Sequence, residues 1–150
     1  MTEPDAPVVQ VECRLAATPA DVYDEWLDPD ALADWMCPWP ARATGIALDP
    51  RIGGGLRIDI VEDGVPFVVT GRYVELNRPV SLSFTWSCST WPDPSVESLV
   101  TVTLEAAGDG ETLMTIRHAL LPPDLVERHR SGWAGIAEQL AAELARDQGR

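Results

Sequence analysis

The last quarter of the chain constrains the fold most. Leu125, His129, Trp133, Ile136, Leu140 and Leu144 recur at steps of three and four, the spacing of one face of an α-helix. Glu127, Arg128, Arg130, Glu138, Glu143 and Arg146 occupy the other faces. A helix that is apolar on one side has to lay that side on another element, because propensity alone does not hold it in water. Pro122-Pro123 marks the switch into this helix, and the long region before it has lost the helical period from Ala41 onward. A sheet is therefore the only large partner the chain can offer the helix.

The strands of that sheet are legible in places. Residues 8–15 alternate, with Val9, Val11, Cys13 and Leu15 on one side, which predicts a first strand. Thr18-Pro19-Ala20-Asp21 and Asp28-Pro29-Asp30 each read as a helix start: a capping oxygen, a proline in the first helical turn, then an acid facing the positive end of the helix dipole. Two short helices in tandem follow, the first placing Val22 and Trp26 on one face, the second carrying Leu32, Trp35 and Met36 and stopping before Pro38. Asp63-Gly64 between Ile58-Asp59-Ile60-Val61 and Phe67-Val68-Val69 predicts a tight hairpin. Asn77-Arg78-Pro79 turns the chain into a strand with Leu82, Phe84 and Trp86 on one face, and Gly108-Asp109-Gly110 separates two further strands, 100–104 and 114–118. The expected fold class is α+β: a mostly antiparallel meander of about six or seven strands beneath one long C-terminal helix. A single domain over 1–150 is expected, its core at about 8–147, with loose ends at 1–7 and 147–150.

Charge and cysteine usage narrow the function classes. The 24 acids outnumber 11 basic residues, all arginine, for a net charge of −13, which is a poor surface for nucleic acid. Without lysine there is no Schiff-base chemistry, and the Ala, Pro, Arg and Gly usage fits a GC-rich bacterial genome. Cys13, Cys37 and Cys88 are odd in number with no CxxC spacing, so reduced thiols and a cytoplasmic setting are expected. No run reaches the eighteen or so apolar residues of a membrane span. The histidines and cysteines have no metal-ligand spacing, and Gly53-Gly54-Gly55 lacks the context of a phosphate loop, so neither a metal nor a cofactor is expected.

The order strand, two short helices, a run of strands and a long final helix resembles the START-like (SRPBCC) superfamily, with its START/Bet v-like helix-grip fold. Thr18-Pro19-Ala20-Asp21-Val22-Tyr23-Asp24-Glu25-Trp26, Asp28-Pro29, Trp35, Asp49-Pro50-Arg51-Ile52-Gly53-Gly54, Gly71-Arg72-Tyr73-Val74-Glu75, Leu82-Ser83-Phe84-Thr85-Trp86 and His129-Arg130-Ser131-Gly132-Trp133 are similar to the branch of activator of heat-shock protein 90 ATPase homologues, or AHSA-like proteins. Trp35-Met36-Cys37-Pro38-Trp39 departs from the Trp-Trp-Gly-Pro type of segment common in that branch, near what is usually the cavity mouth. The resemblance implies a cavity between sheet and helix. It leaves several uses open, because the superfamily spans lipid carriers, polyketide aromatases and cyclases, antibiotic-sequestering proteins and chaperone activators.

On this reading the leading expectation is non-catalytic, cytoplasmic binding of a small hydrophobic or aromatic molecule, with Trp35, Trp39, Phe84, Trp86, His118 and Trp133 as contacts. Core packing accounts for most of these aromatics equally well, except Trp39, which stands in a proline-flanked loop. An enzymatic alternative, cyclase/aromatase-like or hydrolase-like, would use His118 with Tyr73 or Glu97 as acid and base. A third is a stress-related co-chaperone with a surface around Trp91-Pro92-Asp93-Pro94, a segment that reads equally as a lid or lip over the cavity or as a stiff loop. A homodimer and a chaperone complete the expected partners. Alternation does not fix which face Arg57, Asp59, Tyr73 and Glu97 occupy.

Overall fold

The structure, a computed structural model, describes residues 8–148. Within them β1 (Val9–Leu15) is followed by α1 (Pro19–Trp26) and α2 (Pro29–Trp35), then by β2 (Arg42–Leu48), β3 (Gly55–Glu62), β4 (Val65–Asn77), β5 (Ser81–Cys88), β6 (Ser98–Gly108) and β7 (Glu111–Ala119). A single 3-10 turn at Pro123–Leu125 leads into α3 (Val126–Gln148). Residues 1–7 and 149–150, expected as loose ends, lie outside the described residues, whereas Asp147 continues the last helix.

The strands form one antiparallel sheet in the order β1-β7-β6-β5-β4-β3-β2. The first strand pairs with the last, Val9 opposite His118 and Leu15 opposite Thr112. The chain then crosses from that edge to the far one through α1 and α2, and walks back strand by strand to β7. Both short helices start as their sequences predict: Thr18 Oγ1 accepts the Asp21 N–H at 3.2 Å, and Asp28 Oδ1 accepts the Asp30 and Ala31 N–H groups at 3.0 and 3.4 Å. Asp28→Ala is expected to cost about 1 kcal/mol of folding stability, the usual value of an N-cap, and urea unfolding measures it.

Asp63 and Gly64 have φ of 53° and 78°, so the predicted hairpin turn forms with Glu62 opposite Val65. Gly54 is required for a different reason: a Cβ there would lie 2.0 Å from the Asp49 carbonyl oxygen, inside the tight turn that leads into β3. Arg57 and Asp59 pair at 2.9 Å on the outer face of β3, opposite the buried Leu56, Ile58 and Ile60.

The concave face of the sheet carries Leu82, Phe84 and Trp86 of β5, Val100, Val102 and Leu104 of β6, and Met114, Ile116 and His118 of β7, all buried. Helix α3 lies across this face with Trp133, Ile136, Ala137, Leu140 and Leu144 inward. Its C-terminal half sits on β1, where the Cys13 thiol approaches the Ala137 carbonyl oxygen at 3.8 Å. Trp26 and Trp35 from the short helices complete the core, their rings edge-on at 4.9 Å.

Candidate ligand cavity

The N-terminal half of α3 does not close fully on the sheet. A cavity of about 570 Å³ remains there, within the range of small-molecule sites. Ile60, Phe67, Val69, Trp86 and Cys88 of β3, β4 and β5 form one wall, and His129, Gly132, Trp133, Gly135 and Ile136 of α3 the other. The 36–41 loop and Trp91 close the sides, and Trp39, Glu62 and Arg128 frame the mouth.

Two glycines on α3 shape the space. A Cβ on Gly132 would meet nothing within 4 Å, so its missing side chain is cavity volume. A Cβ on Gly135 would lie 3.3 Å from the Pro38 Cβ, so that glycine lets the 36–41 loop approach the helix. Gly132→Ala is expected to raise stability by about 0.5–1 kcal/mol, because it restores helix propensity without a clash. Gly135→Ala should gain less, because it presses on Pro38. Paired urea titrations of the two variants check this difference.

Gln139 holds the loop in place from one turn further along the helix. Its Oε1 accepts the Trp39 N–H at 2.9 Å, and its Nε2 donates to the carbonyl oxygens of Trp35 and Cys37 at 3.0 and 2.8 Å. Trp39 is thereby fixed at the rim with its side chain 85% exposed.

A chain of hydrogen bonds sets the floor. Trp133 Nε1 donates to His118 Nδ1 at 2.9 Å, His118 Nε2 meets Ser98 Oγ at 2.7 Å, and Ser98 Oγ donates to the Trp86 carbonyl oxygen at 2.6 Å. An indole nitrogen only donates, so Nδ1 accepts; the serine hydrogen is committed to Trp86, so Nε2 carries the ring proton. One neutral tautomer satisfies every group. Burial pushes the His118 pKa down to about 3, with the neighbouring His129 adding to the fall. Burial also lowers His129, against the opposing effect of its bond to the Leu125 carbonyl, and Arg128 lowers it further.

Of the residues expected at the site, Trp39, Trp86 and Trp133 line the cavity, and Trp35, Phe84 and His118 do not. Trp35, the last residue of α2, turns its ring toward α1, where its Nε1 donates to Glu25 at 3.1 Å. Phe84 sits one layer deeper, its ring 6.2 Å from both Trp26 and Trp86. His118 stands behind Trp86 and Trp133 with both nitrogens spent, so it positions those rings instead of meeting a ligand.

The acid–base set of His118, Tyr73 and Glu97 does not assemble. Tyr73 points into the core near Tyr23, its hydroxyl without a partner among the described residues and its pKa raised chiefly by burial. Its neighbour Arg72 points the opposite way, as alternation in a strand requires, and pairs there with Glu97 at 3.0 Å.

Trp91, read as part of a lid, a partner surface or a stiff loop, is 5% exposed and packs its ring 5.8 Å from His129, as a side wall. Sequence reasoning also missed Cys88, although it continues the Leu82, Phe84, Trp86 alternation. It missed Gly135, which flanks Ile136 on the inward stripe, whereas Gly132 lines the cavity beside Trp133 as expected of the midpoint of a gripping helix.

A curved antiparallel sheet gripped by a C-terminal helix, with a cavity under the helix's first half, defines a helix-grip protein. The chain belongs to the family of activator of Hsp90 ATPase homolog 1-like proteins, whose sequence model matches residues 16–145. Among solved structures it is similar to the AHSA1 protein of Silicibacter pomeroyi, at 26% identity and a TM-score of 0.82 over 94% of this chain and 99% of that one. Protein CV1439 of Chromobacterium violaceum shares 26% identity and a TM-score of 0.78 over 92% of this chain and 97% of that one. The AHSA1-like protein of Aeromonas hydrophila, at 20% identity, has the same fold with a TM-score of 0.79 over 95% of this chain and 94% of that one. No curated protein matches the sequence. No helix among the described residues is long and apolar enough to cross a membrane.

Proposed function

We propose that this protein binds a small hydrophobic or aromatic molecule, without catalysing its conversion, in the cavity between the sheet and the first half of α3. The observation that carries this reading is the cavity itself: about 570 Å³ left beside a packed core, walled by Trp86, Trp91 and Trp133 and kept roomy by a helix glycine at 132. A chain that needed only a core would gain stability by filling that space. That the expected set of His118, Tyr73 and Glu97 does not assemble supports a binding role over that enzymatic one: His118 is neutral and fully bonded, and Tyr73 and Glu97 occupy opposite faces.

Native mass spectrometry of freshly purified protein, before and after mild unfolding, tests the proposal. A co-purifying small molecule should leave on unfolding. Gly132→Phe, which fills the cavity from a position where a Cβ meets no neighbour, should carry none while keeping its circular dichroism spectrum. Equal retention by both proteins would sink the cavity as the site.

The family's description also favours a chaperone-partner reading. The surface expected around Trp91 is not offered, because that ring is turned inward. A co-chaperone role would therefore have to use another face, and pull-down with a chaperone tests it.

A further inference from the structure

His129 is the cavity-lining group whose chemistry is most narrowly defined. Its Nδ1 lies 2.9 Å from the Leu125 carbonyl oxygen. A carbonyl oxygen only accepts, so Nδ1 carries the ring hydrogen and Nε2 of the neutral ring is a bare lone pair. No protein donor among the described residues bonds to Nε2, yet it is not one of the orphaned atoms sealed in the core. The ring itself lines the cavity, held edge-to-face against Trp91 at 5.8 Å and His118 at 5.1 Å. Burial and the adjacent Arg128 both favour the uncharged imidazole. The cavity wall therefore offers an acceptor that is otherwise unused.

We infer that the cavity selects planar aromatic molecules bearing a hydroxyl or N–H group, which donates to His129 Nε2 while the ring lies against Trp86, Trp91 and Trp133. This rests on the binding function proposed above and specifies its ligand. A carboxylate-bearing ligand is the competing chemistry, with Arg128 as its anchor. Glu62 opposes that: it stands 3.9 Å from Arg128 at the same mouth and lines the same cavity. Its field also helps to hold the Cys37 thiol up at about 11, behind the larger effect of burial. An anion entering there meets a carboxylate as well as a guanidinium.

Isothermal titration with indole and N-methylindole, which differ in the donor and by one methyl group, tests the inference; naphthalene and naphthoate form the second pair. Indole should bind about 3- to 10-fold more tightly than N-methylindole, the value of one net hydrogen bond. In His129→Phe the ratio should fall to about one, with circular dichroism confirming the fold; if that variant does not fold, the wild-type ratio decides alone. Equal binding of indole and N-methylindole by the wild type overturns the donor requirement and leaves the binding function standing. A preference that survives in folded His129→Phe overturns the role of His129. Naphthoate binding more tightly than naphthalene overturns the inference in favour of an anion held by Arg128. If none of the four binds and Gly132→Phe retains whatever co-purifies, the cavity reading fails and this inference with it.

Discussion

Acidification from neutral pH to about pH 4 is expected to remove about 3 kcal/mol of folding stability through His118 alone, at roughly 1.4 kcal/mol per pH unit for one ring. His118 is fully buried, and its folded-state pKa lies near 3, below the ordinary 6.5. Folding therefore requires the neutral ring. The contribution is complete above pH 6.5 and is lost progressively as pH falls through that window toward 3. His129, also lowered, acts in the same direction. Asp24, held down by its hydrogen bonds to Arg78, adds to the loss only in the carboxylate range, and Glu25, raised by burial, works against it. Urea unfolding midpoints across this range measure the slope. His118→Gln supplies a carbonyl acceptor for Trp133 and an amide donor for Ser98 but no titrating ring, so it should flatten the curve. A slope unchanged in that variant would show that the acid sensitivity lies elsewhere.

Trp133→Ala is expected to cost about 4 kcal/mol, the range found for emptying a buried aromatic site. The ring is 1% exposed, stands 5.2 Å from Trp86 and 6.2 Å from Trp26, and is the donor that fixes His118 Nδ1. Its removal leaves a buried acceptor unpaired and joins the cavity to the space behind it. Trp133→Phe keeps part of the packing but loses the indole N–H together with two further ring atoms, so about 2–3 kcal/mol is expected there. For a chain of this length each kcal/mol shifts the melting temperature by about 2–4 °C, so calorimetry separates the two variants. Trp133→Ala melting within a degree or so of wild type would contradict the central place given to this ring.

Much of the fold was legible because local rules act within a few residues. Thr18 and Asp28 cap helices because a short side-chain oxygen reaches the first free N–H groups. Asp63-Gly64 turns because both positions tolerate positive φ. β2 was less legible: its Ala43–Gly45 bulge breaks the alternation that marks a strand, and only its pairing with β3 makes it one. The place of Asp147 in the last helix was not legible either. Asp147 is polar and near the terminus, but the helix that carries it is held by Leu140 and Leu144 further back.

The site was harder to read than the fold. Trp35 and Trp86 are alike in the sequence as aromatic residues at core spacing. One donates to Glu25 of α1, while the other walls the cavity. Trp91 stands in a polar, proline-rich loop and still turns inward, onto His129. His118 was readable as interior from its strand, but its role depends on Ser98 and Trp133, 20 and 15 residues away in the chain.

The sequence by itself determined most of the elements, their order and the inward stripe of α3, since periodicity, caps and turn residues act over a few neighbours; β2 alone needed its partner strand. Tertiary structure alone decided that α3 closes tightly on β1 but stands off the sheet near its start. The gap depends on Gly132 presenting no side chain and on Gly135 admitting Pro38, distances set between segments about a hundred residues apart. It also decided that His118 is a buried, neutral strut for the cavity floor, because burial and hydrogen-bond partners come from strands and a helix that meet only in the folded chain.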